Sequence, residues 1–204
     1  MFQYKAPGCY IEDIHDMLYT STDWDSSLTP NSVVLLTNVV KIRIALTNAE
    51  LPAHKNYTDP LENYISVNPN PNSDFDGKSN TDKIIAFNTA YATNTDDYAA
   101  PYCKNFIFPN GKGNAYLPAN GQLIYIYNNL TLLEECLNTC GGELFEQGSL
   151  SSSARHIRSS TRGDNSGQYR QLYGYMMHNT WQSSHQMIYG INGATYVRPV
   201  ADYE

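Results

Sequence analysis

Apolar and polar positions alternate most clearly in the segment 31–48, NSVVLLTNVVKIRIALTN. Its apolar positions Val40, Ile42, Ile44 and Leu46 are separated by Lys41, Arg43 and Ala45. A period of two is typical of a strand with one buried face. We therefore predict β structure here. The stretch that follows, residues 54–82, is rich in proline and asparagine and predicts a long loop.

The middle of the chain carries helix signals. Asn80 or Thr81 can cap a short helix that runs through Ile84, Ile85 and Phe87. A turn is predicted at 109–111, and an amphipathic stretch at 122–128.

The next helix has the clearest boundaries in the sequence. Thr131 followed by Glu134 is a capping-box pattern. Leu133, Cys136, Leu137 and Cys140 share one face, and Gly141-Gly142 supplies the stop.

After Glu143 helix signals vanish, and short aromatic runs alternate with Gly, Ser and Asn, as in short strands joined by loops. The whole pattern predicts one α+β domain over residues 1–204, with two or three helices, short antiparallel strands and long loops. We expect the terminal strands to pair with each other.

Charge is divided unevenly along the chain. Residues 1–150 carry 8 basic and 17 acidic side chains, a charge of −9, whereas residues 151–204 carry 5 and 3, a charge of +2. An acidic body argues against general nucleic-acid binding, which needs a basic face. No run approaches the 18 apolar residues of a membrane span, so we expect no membrane insertion.

Residue types that bind metals do not fall into metal-site spacing. Cys9, Cys103, Cys136 and Cys140 do not match zinc-site spacing, and we interpret them as structural. NSDFDG, residues 72–77, resembles the start of an EF-hand, but the twelfth position is Lys83, where Glu is required. His178 and His185 are seven residues apart, which is not the spacing of a zinc helix. We predict no metal and no cofactor.

Short catalytic and adhesive patterns are weak. Ser160, His178 and Asp164 could form a triad on paper, but no nucleophile elbow positions the serine. The tripeptide Arg162-Gly163-Asp164 matches an integrin ligand over three residues only.

The C-terminal segment has the composition of a binding surface. From residue 162 to residue 200 it concentrates Tyr, Ser, Asn, Gly, His and Arg, which offer hydrogen bonds and flat amphipathic area with few rotatable bonds. Residues 151–204 contain no Lys, and their only Glu is the last residue.

Four stretches together resemble one family. They are PGCYIEDIHDMLYTSTDW, SDFDGKSNTDKIIA, AAPYCKNFIFPNGKGNAYLPANGQLIYIYNN with a later CGG, and IRSST with the ending GINGATYVRPV. These resemble proteins of C-type lectin fold in the Lcl C-terminal-like group of gut bacteria and their phages. Within that group the chain looks most like the variable protein of a diversity-generating retroelement, similar to phage tropism determinants.

The resemblance implies a lectin-type scaffold that displays a C-terminal region rewritten by adenine-directed mutagenesis, here residues 155–196. Mutating the adenines of Asn-type codons cannot produce Lys, Glu, Gln, Met or Trp, and the missing Lys and Glu of residues 151–203 fit that rule. The residues that the rule excludes are then scaffold or are changed through other codons: Gln168, Gln171, Met176, Met177, Trp181, Gln182, Gln186 and Met187.

We therefore predict a set of ligand-binding side chains in this region. They are Arg158, Arg162, Asp164, Asn165, Tyr169, Arg170, Tyr173, Tyr175, His178, Asn179, His185, Tyr189 and Asn192. The sequence departs from the family in two places. The family has a Trp before SST where this chain has Arg158, and the run between SST and YVRPV is longer here.

The predicted function is binding rather than catalysis. The expected partner is a protein or glycan receptor on a bacterial surface, and the expected location is a phage tail-fibre tip or a bacterial cell surface, with a homo-oligomer as one possible arrangement. Two alternatives stay open. One is an enzyme like those that generate formylglycine, which need paired cysteines late in the chain, whereas the last one here is Cys140. The other is a non-variable structural domain of a virion or fimbria.

Overall fold

The structure, a computed structural model, describes residues 5–51, 68–90, 99–145, 156–162, 172–176, 186–188 and 195–204. Its elements form two five-stranded sheets and four α-helices. The α+β class is therefore confirmed, with one helix more than the upper number predicted.

The first sheet has the order β10-β4-β3-β1-β2, and all of its pairs are antiparallel. Its strands are β1 (Gly8–Asp13), β2 (Leu18–Tyr19), β3 (Pro30–Leu36), β4 (Lys41–Ile44) and β10 (Val200–Asp202). The expected pairing of the terminal strands holds only in part, because the last strand joins the sheet of the first strand without pairing with it. β10 pairs with β4, so β3 and β4 lie between the last strand and β1.

The second sheet has the order β5-β9-β6-β7-β8. Its strands are β5 (Ala49–Leu51), β6 (His156–Arg162), β7 (Leu172–Met176), β8 (Gln186–Ile188) and β9 (Thr195–Val197). Strands β6 and β9 are parallel and meet at Ile157 and Tyr196, and the other pairs are antiparallel.

The helices are α1 (Gly77–Ala90), α2 (Ala99–Asn105), α3 (Asn120–Asn128) and α4 (Leu130–Cys140), and a 3-10 turn at Pro71–Ser73 precedes α1. No helix within the described ranges is long and apolar enough to cross a membrane.

The alternating segment 31–48 forms a hairpin rather than one strand. Thr37 follows β3, and its N–H donates to the carbonyl oxygen of Val40 at 2.8 Å across the turn. As predicted, Val40, Ile42 and Ile44 are buried, and they pack in the largest apolar core between the first sheet and helices α3 and α4.

Two predicted helix starts are displaced. Helix α1 begins at Gly77, because the carbonyl and carboxylate of Asp76 accept the first N–H groups, from Asn80 at 3.0 Å and Ser79 at 3.4 Å. Asn80 and Thr81 therefore lie inside the helix. The Asp-rich segment before it is a turn leading into a helix, as preferred over the EF-hand.

Helix α4 begins at Leu130, one residue before the predicted cap Thr131. Only Asn129 separates α3 from α4, so one residue ends the first helix and begins the second. The predicted inner face is buried at Leu133, Cys136 and Leu137 and half-buried at Cys140. Gly141 has φ 73° and ends the helix as predicted.

Candidate ligand-binding region and the frame that holds it

Strands β6, β7 and β8 are three of the five strands of the second sheet, and they fall in the predicted binding region, residues 155–196. On β6, Arg158 lies opposite Gly174 and Arg162 lies opposite Leu172, so three residues of β6 face one of β7. A bulge of this kind locally breaks the ladder between two strands. The three residues are Ser159, Ser160 and Thr161, and all are fully buried.

The bulged residues of β6 bond instead to the part of the fold outside the predicted binding region. We call this part, the described residues of 5–145 and 197–204, the frame. The N–H of Ser160 donates to the carbonyl oxygen of Pro118 at 2.9 Å, and Thr161 Oγ1 accepts from the N–H of Asn120 at 2.8 Å. The N–H of Thr161 donates to Ser159 Oγ at 3.0 Å. The strand is thus fixed to the segment that leads into α3.

Arg158 and Arg162 differ from the prediction that they are exposed ligand contacts. Their side chains are 4% and 2% exposed. Strand β6 is central in the second sheet, between β9 and β7, and it packs against α1 and α3. This central position accounts for their burial, which corrects the expected exposure of both, whereas their role in ligand binding stays a prediction.

The remaining predicted side chains are not described. Tyr173 and Tyr175 lie on β7, whose backbone alone is described. Nine predicted residues lie outside the described residues: Asp164, Asn165, Tyr169, Arg170, His178, Asn179, His185, Tyr189 and Asn192.

A buried polar network joins β6 to the start of α1. Asp74 Oδ2 accepts hydrogen bonds from Thr161 Oγ1 at 2.7 Å and from Asn80 Nδ2 at 2.9 Å. Asp74 Oδ1 accepts from the N–H of Asp76 at 3.0 Å. Hydrogen bonds to a carboxylate are stronger than neutral ones, especially where water is excluded. The network therefore joins the second sheet to the N-terminus of α1.

Thr81 extends this network to the strand-like segment before α3. Its hydroxyl donates to the carbonyl oxygen of Gly77 at 2.7 Å and accepts the N–H of Leu117 at 3.0 Å. Gln122 Oε1 accepts the N–H of Ala119 at 2.9 Å. Asn80 and Thr81 are polar residues buried inside α1, and the sequence pattern predicts them as caps although they form this network.

Tyr116 links the same segment to the last strand. Its hydroxyl accepts from Gln122 Nε2 at 2.9 Å and donates to Asp202 Oδ1 at 2.6 Å. Burial, with the nearby Asp202 carboxylate, raises the pKa of Tyr116 well above its usual value. The tyrosine therefore stays a neutral donor.

Arg198 of the YVRPV ending is a second anchor, which the sequence reading did not single out. The side chain is 1% exposed. Its guanidinium donates to Asn48 Oδ1 at 2.7 Å and to the carbonyl oxygens of Ala45 at 3.0 Å and Glu143 at 2.8 Å. It also stacks over the ring of Phe145 at 4.3 Å. Arg198 thus holds the turn between β9 and β10 against the ends of β4 and α4.

The charge of Arg198 survives its burial. Loss of solvation lowers its pKa from 12.5 to about 10, against the opposing effect of Glu143 and Glu134. The side chain is therefore a cation at neutral pH, with carbonyl dipoles as its main partners.

The cysteines are structural, as predicted. All four are free thiols, and Cys9, Cys136 and Cys140 lie in or against the largest core. Burial raises the pKa of Cys9 to about 12 and that of Cys136 to about 11. Thiols with such values are protonated at neutral pH and are poor nucleophiles.

Two further chemical arrangements find no support in the part of the chain that the structure describes. Within it, no group of three or more His, Cys, Asp or Glu side chains could hold a metal ion. Ser160, the serine of the Ser-His-Asp triad considered from the sequence, is fully buried. Its partners in that triad, His178 and Asp164, lie outside the described residues.

Comparisons with known proteins give a likeness in fold. No family model and no curated protein matches the chain. A solved structure described as a fimbrial protein from Bacteroides ovatus is similar, with a TM-score of 0.60 and 15% sequence identity. The likeness covers 98% of this chain and 49% of the fimbrial protein, so the chain spans about half of its length. At this identity it bears on the fold alone.

Proposed function

We propose that the chain is a non-enzymatic binding module that displays its C-terminal segment, residues 155–196, as a ligand-contacting surface. One observation carries the proposal. The segment has the composition of a binding loop, without Lys or Glu, and its strand β6 is held by hydrogen bonds to Asp74 and Asn120, elsewhere in the fold. A rigid frame beneath a polar, Tyr-rich surface is the arrangement that recognition loops use.

The finer proposal is a C-type-lectin-like scaffold of a diversity-generating retroelement. The stretches that carry the family resemblance include residues that hold the frame. Glu12 of YIED is fully buried and pairs with Arg43 at 2.9 Å. Asp74 precedes DGKSNT, Thr161 ends SST, and Arg198 lies in YVRPV. Fixed residues with these tasks would let the residues between them change.

The proposed partner is a protein or glycan receptor on a bacterial surface. The proposed place of display is a phage fibre tip or a bacterial cell surface. Repetition of the module, as in a homo-oligomer, would raise avidity where single-site affinity is modest.

A second candidate is a structural subunit of a fimbria-like appendage. It is favoured by the likeness in fold to the Bacteroides ovatus fimbrial protein. This candidate shares the extracellular setting but requires no variable surface. A formylglycine-generating activity is disfavoured, because Cys136 is buried, Cys9 is half-buried, and both thiols have raised pKa values.

The two candidates differ in the pattern of sequence variation at this locus. We would sequence the locus deeply across its source population and compare it codon by codon. For a diversified binding protein we expect substitutions at adenine positions confined to roughly residues 155–196, with residues 1–150 constant. The buried Ser159, Ser160 and Thr161 should be constant as well.

Synonymous sites of residues 1–150 serve as the control, because they report the background mutation rate. Uniform sequence in the whole gene, or substitutions spread evenly along it, would remove the retroelement proposal and leave the structural subunit. Variation within 155–196 that ignores adenine codons would keep a variable binding surface but contradict its origin.

A further inference from the structure

Asp74 lies where the frame meets strand β6, and three donors converge on its carboxylate. They are the hydroxyl of Thr161 at 2.7 Å, the amide of Asn80 at 2.9 Å and the backbone N–H of Asp76 at 3.0 Å. We propose that Asp74 is a positioning residue of the binding region, which fixes β6 through Thr161 and thereby sets the affinity of a surface to which it does not belong. This inference rests on the function proposed above.

The direction of the hydrogen bonds requires a carboxylate at position 74. Thr161 Oγ1 accepts the N–H of Asn120 at 2.8 Å, so its single proton is left for Asp74. Both oxygens of Asp74 therefore act as acceptors. An amide at this position would offer one acceptor oxygen and would turn an NH2 group toward a donor.

The position of β6 is passed to β7 and β8 through the sheet. Arg158 and Arg162, which flank the bulge, are paired with Gly174 and Leu172 of β7. β7 carries the backbone of Tyr173 and Tyr175, which pair in turn with β8 at Ile188 and Gln186. A displacement of the bulge would therefore displace the strands that carry the predicted aromatic contacts.

Precise placement affects affinity more than it affects folding. A binding surface held in one geometry loses less conformational freedom when its partner binds. A residue that only stabilises the fold changes the melting temperature, whereas a positioning residue also changes affinity at temperatures where every molecule is folded.

The test compares two variants at Thr161 with a matched control. Thr161→Val removes the hydroxyl at nearly constant shape, and Thr161→Ser keeps it. The control is Ser32→Ala in the first sheet, because Ser32 Oγ donates to the buried carboxylate of Glu12 at 2.7 Å. It removes the same kind of bond in the sheet that does not contain β6.

The probe is a single-domain antibody selected against the unaltered chain, whose binding is abolished by Tyr173→Ala or Tyr175→Ala. Well below the melting temperature, we expect Thr161→Val to weaken its Kd at least tenfold. Thr161→Ser and Ser32→Ala should stay within threefold. Hydrogen exchange at the N–H of Asn120 should accelerate in Thr161→Val alone, since that N–H loses its acceptor.

An unchanged Kd in Thr161→Val, with a melting temperature lowered as in Ser32→Ala, would overturn the inference. If Thr161→Val does not fold, Asp74→Asn takes its place with the same expected loss, and an unchanged Kd there overturns the inference equally. The antibody needs no natural ligand, so this failure is distinct from that of the proposed function, which population sequencing decides.

Discussion

At the scale of single residues, buried charges with several hydrogen-bond partners join strands and loops of this fold. Glu12 is fully buried and accepts Arg43 Nε at 2.9 Å on each oxygen, together with Asn31 Nδ2 and Ser32 Oγ at 2.7 Å each. A buried carboxylate is stable only when its lone pairs are satisfied in this way. Glu12 lies in one of the stretches that carry the family resemblance, but the sequence alone does not predict its structural role.

Arg198 gives the sharpest prediction at this scale. Arg198→Lys keeps the charge, but a lysine ammonium cannot reproduce the guanidinium hydrogen bonds to Asn48, Ala45 and Glu143. Carbonyl oxygens left without donors are costly, so we expect the free energy of unfolding to fall by roughly 2–4 kcal/mol. Urea denaturation followed by circular dichroism measures the change.

An exposed cation supplies the comparison for Arg198. Lys104 pairs with Asp82 at 2.7 Å, and both side chains are more than a third exposed. Lys104→Gln should therefore cost less than about 1 kcal/mol. Equal losses in the two variants would show that the buried contacts of Arg198 do not stabilise the fold.

At the scale of elements, periodicity predicted what each segment becomes better than where it begins. The inner faces of the 31–48 segment and of α4 follow from the spacing of apolar residues, and both are buried as predicted. The starts of α1 and α4 depended on tertiary partners. Thr81, predicted as a cap, bonds instead to Leu117, 36 residues away, and no local pattern encodes that contact.

Close backbone contact between α3 and the turn before α1 is a feature that periodicity could not reveal. A Cβ added at Gly121 would lie 2.5 Å from the carbonyl oxygen of Asp74 and 2.9 Å from Cε1 of Phe75. Gly121 N–H also donates to that carbonyl oxygen at 2.8 Å. The two segments therefore touch through a glycine.

Gly121→Ala sets two effects against each other. Alanine is favoured over glycine in a helix by about 1 kcal/mol, but the clash with a backbone oxygen forces α3 away from Asp74. We expect the clash to prevail, with a net loss of about 1–3 kcal/mol in the free energy of unfolding.

Gly113→Ala is the matched control for Gly121→Ala. Its Cβ would meet only Cδ1 of Ile107, at 3.3 Å, the far end of a flexible side chain. The change in unfolding free energy should stay within about 0.5 kcal/mol. A stable Gly121→Ala variant would mean that α3 and the turn can separate without cost.

At the scale of the whole molecule, the sequence predicted an α+β domain with a polar C-terminal region, but not the division into two sheets. The division of the strands into two sheets depends on pairings between distant segments, such as β5 with β9 and β10 with β4. Pairings of this kind join segments far apart in sequence. The strand pattern predicted that strands exist, whereas their partners follow from the packing of the complete chain.

The apolar cores of the described residues draw on β6, β9 and β10. Ile157 and Val200 belong to the largest core, and Val197 belongs to the core beside α1 and α2. Strands β6 and β9, which lie near the two ends of the proposed variable region, are thus both joined to apolar cores.

The proposed function predicts that the fold tolerates a rewritten region. We would shuffle the residues within 163–171, 177–185 and 189–194 at constant composition. A surface that is diversified freely must leave the fold stable, so the free energy of unfolding should change by no more than about 1 kcal/mol. Shuffling 116–122, which contains Leu117, Asn120 and Gln122 of the buried network, should abolish cooperative unfolding. If the first shuffle abolished it too, these residues would be part of the fold, and a freely diversified surface would be excluded.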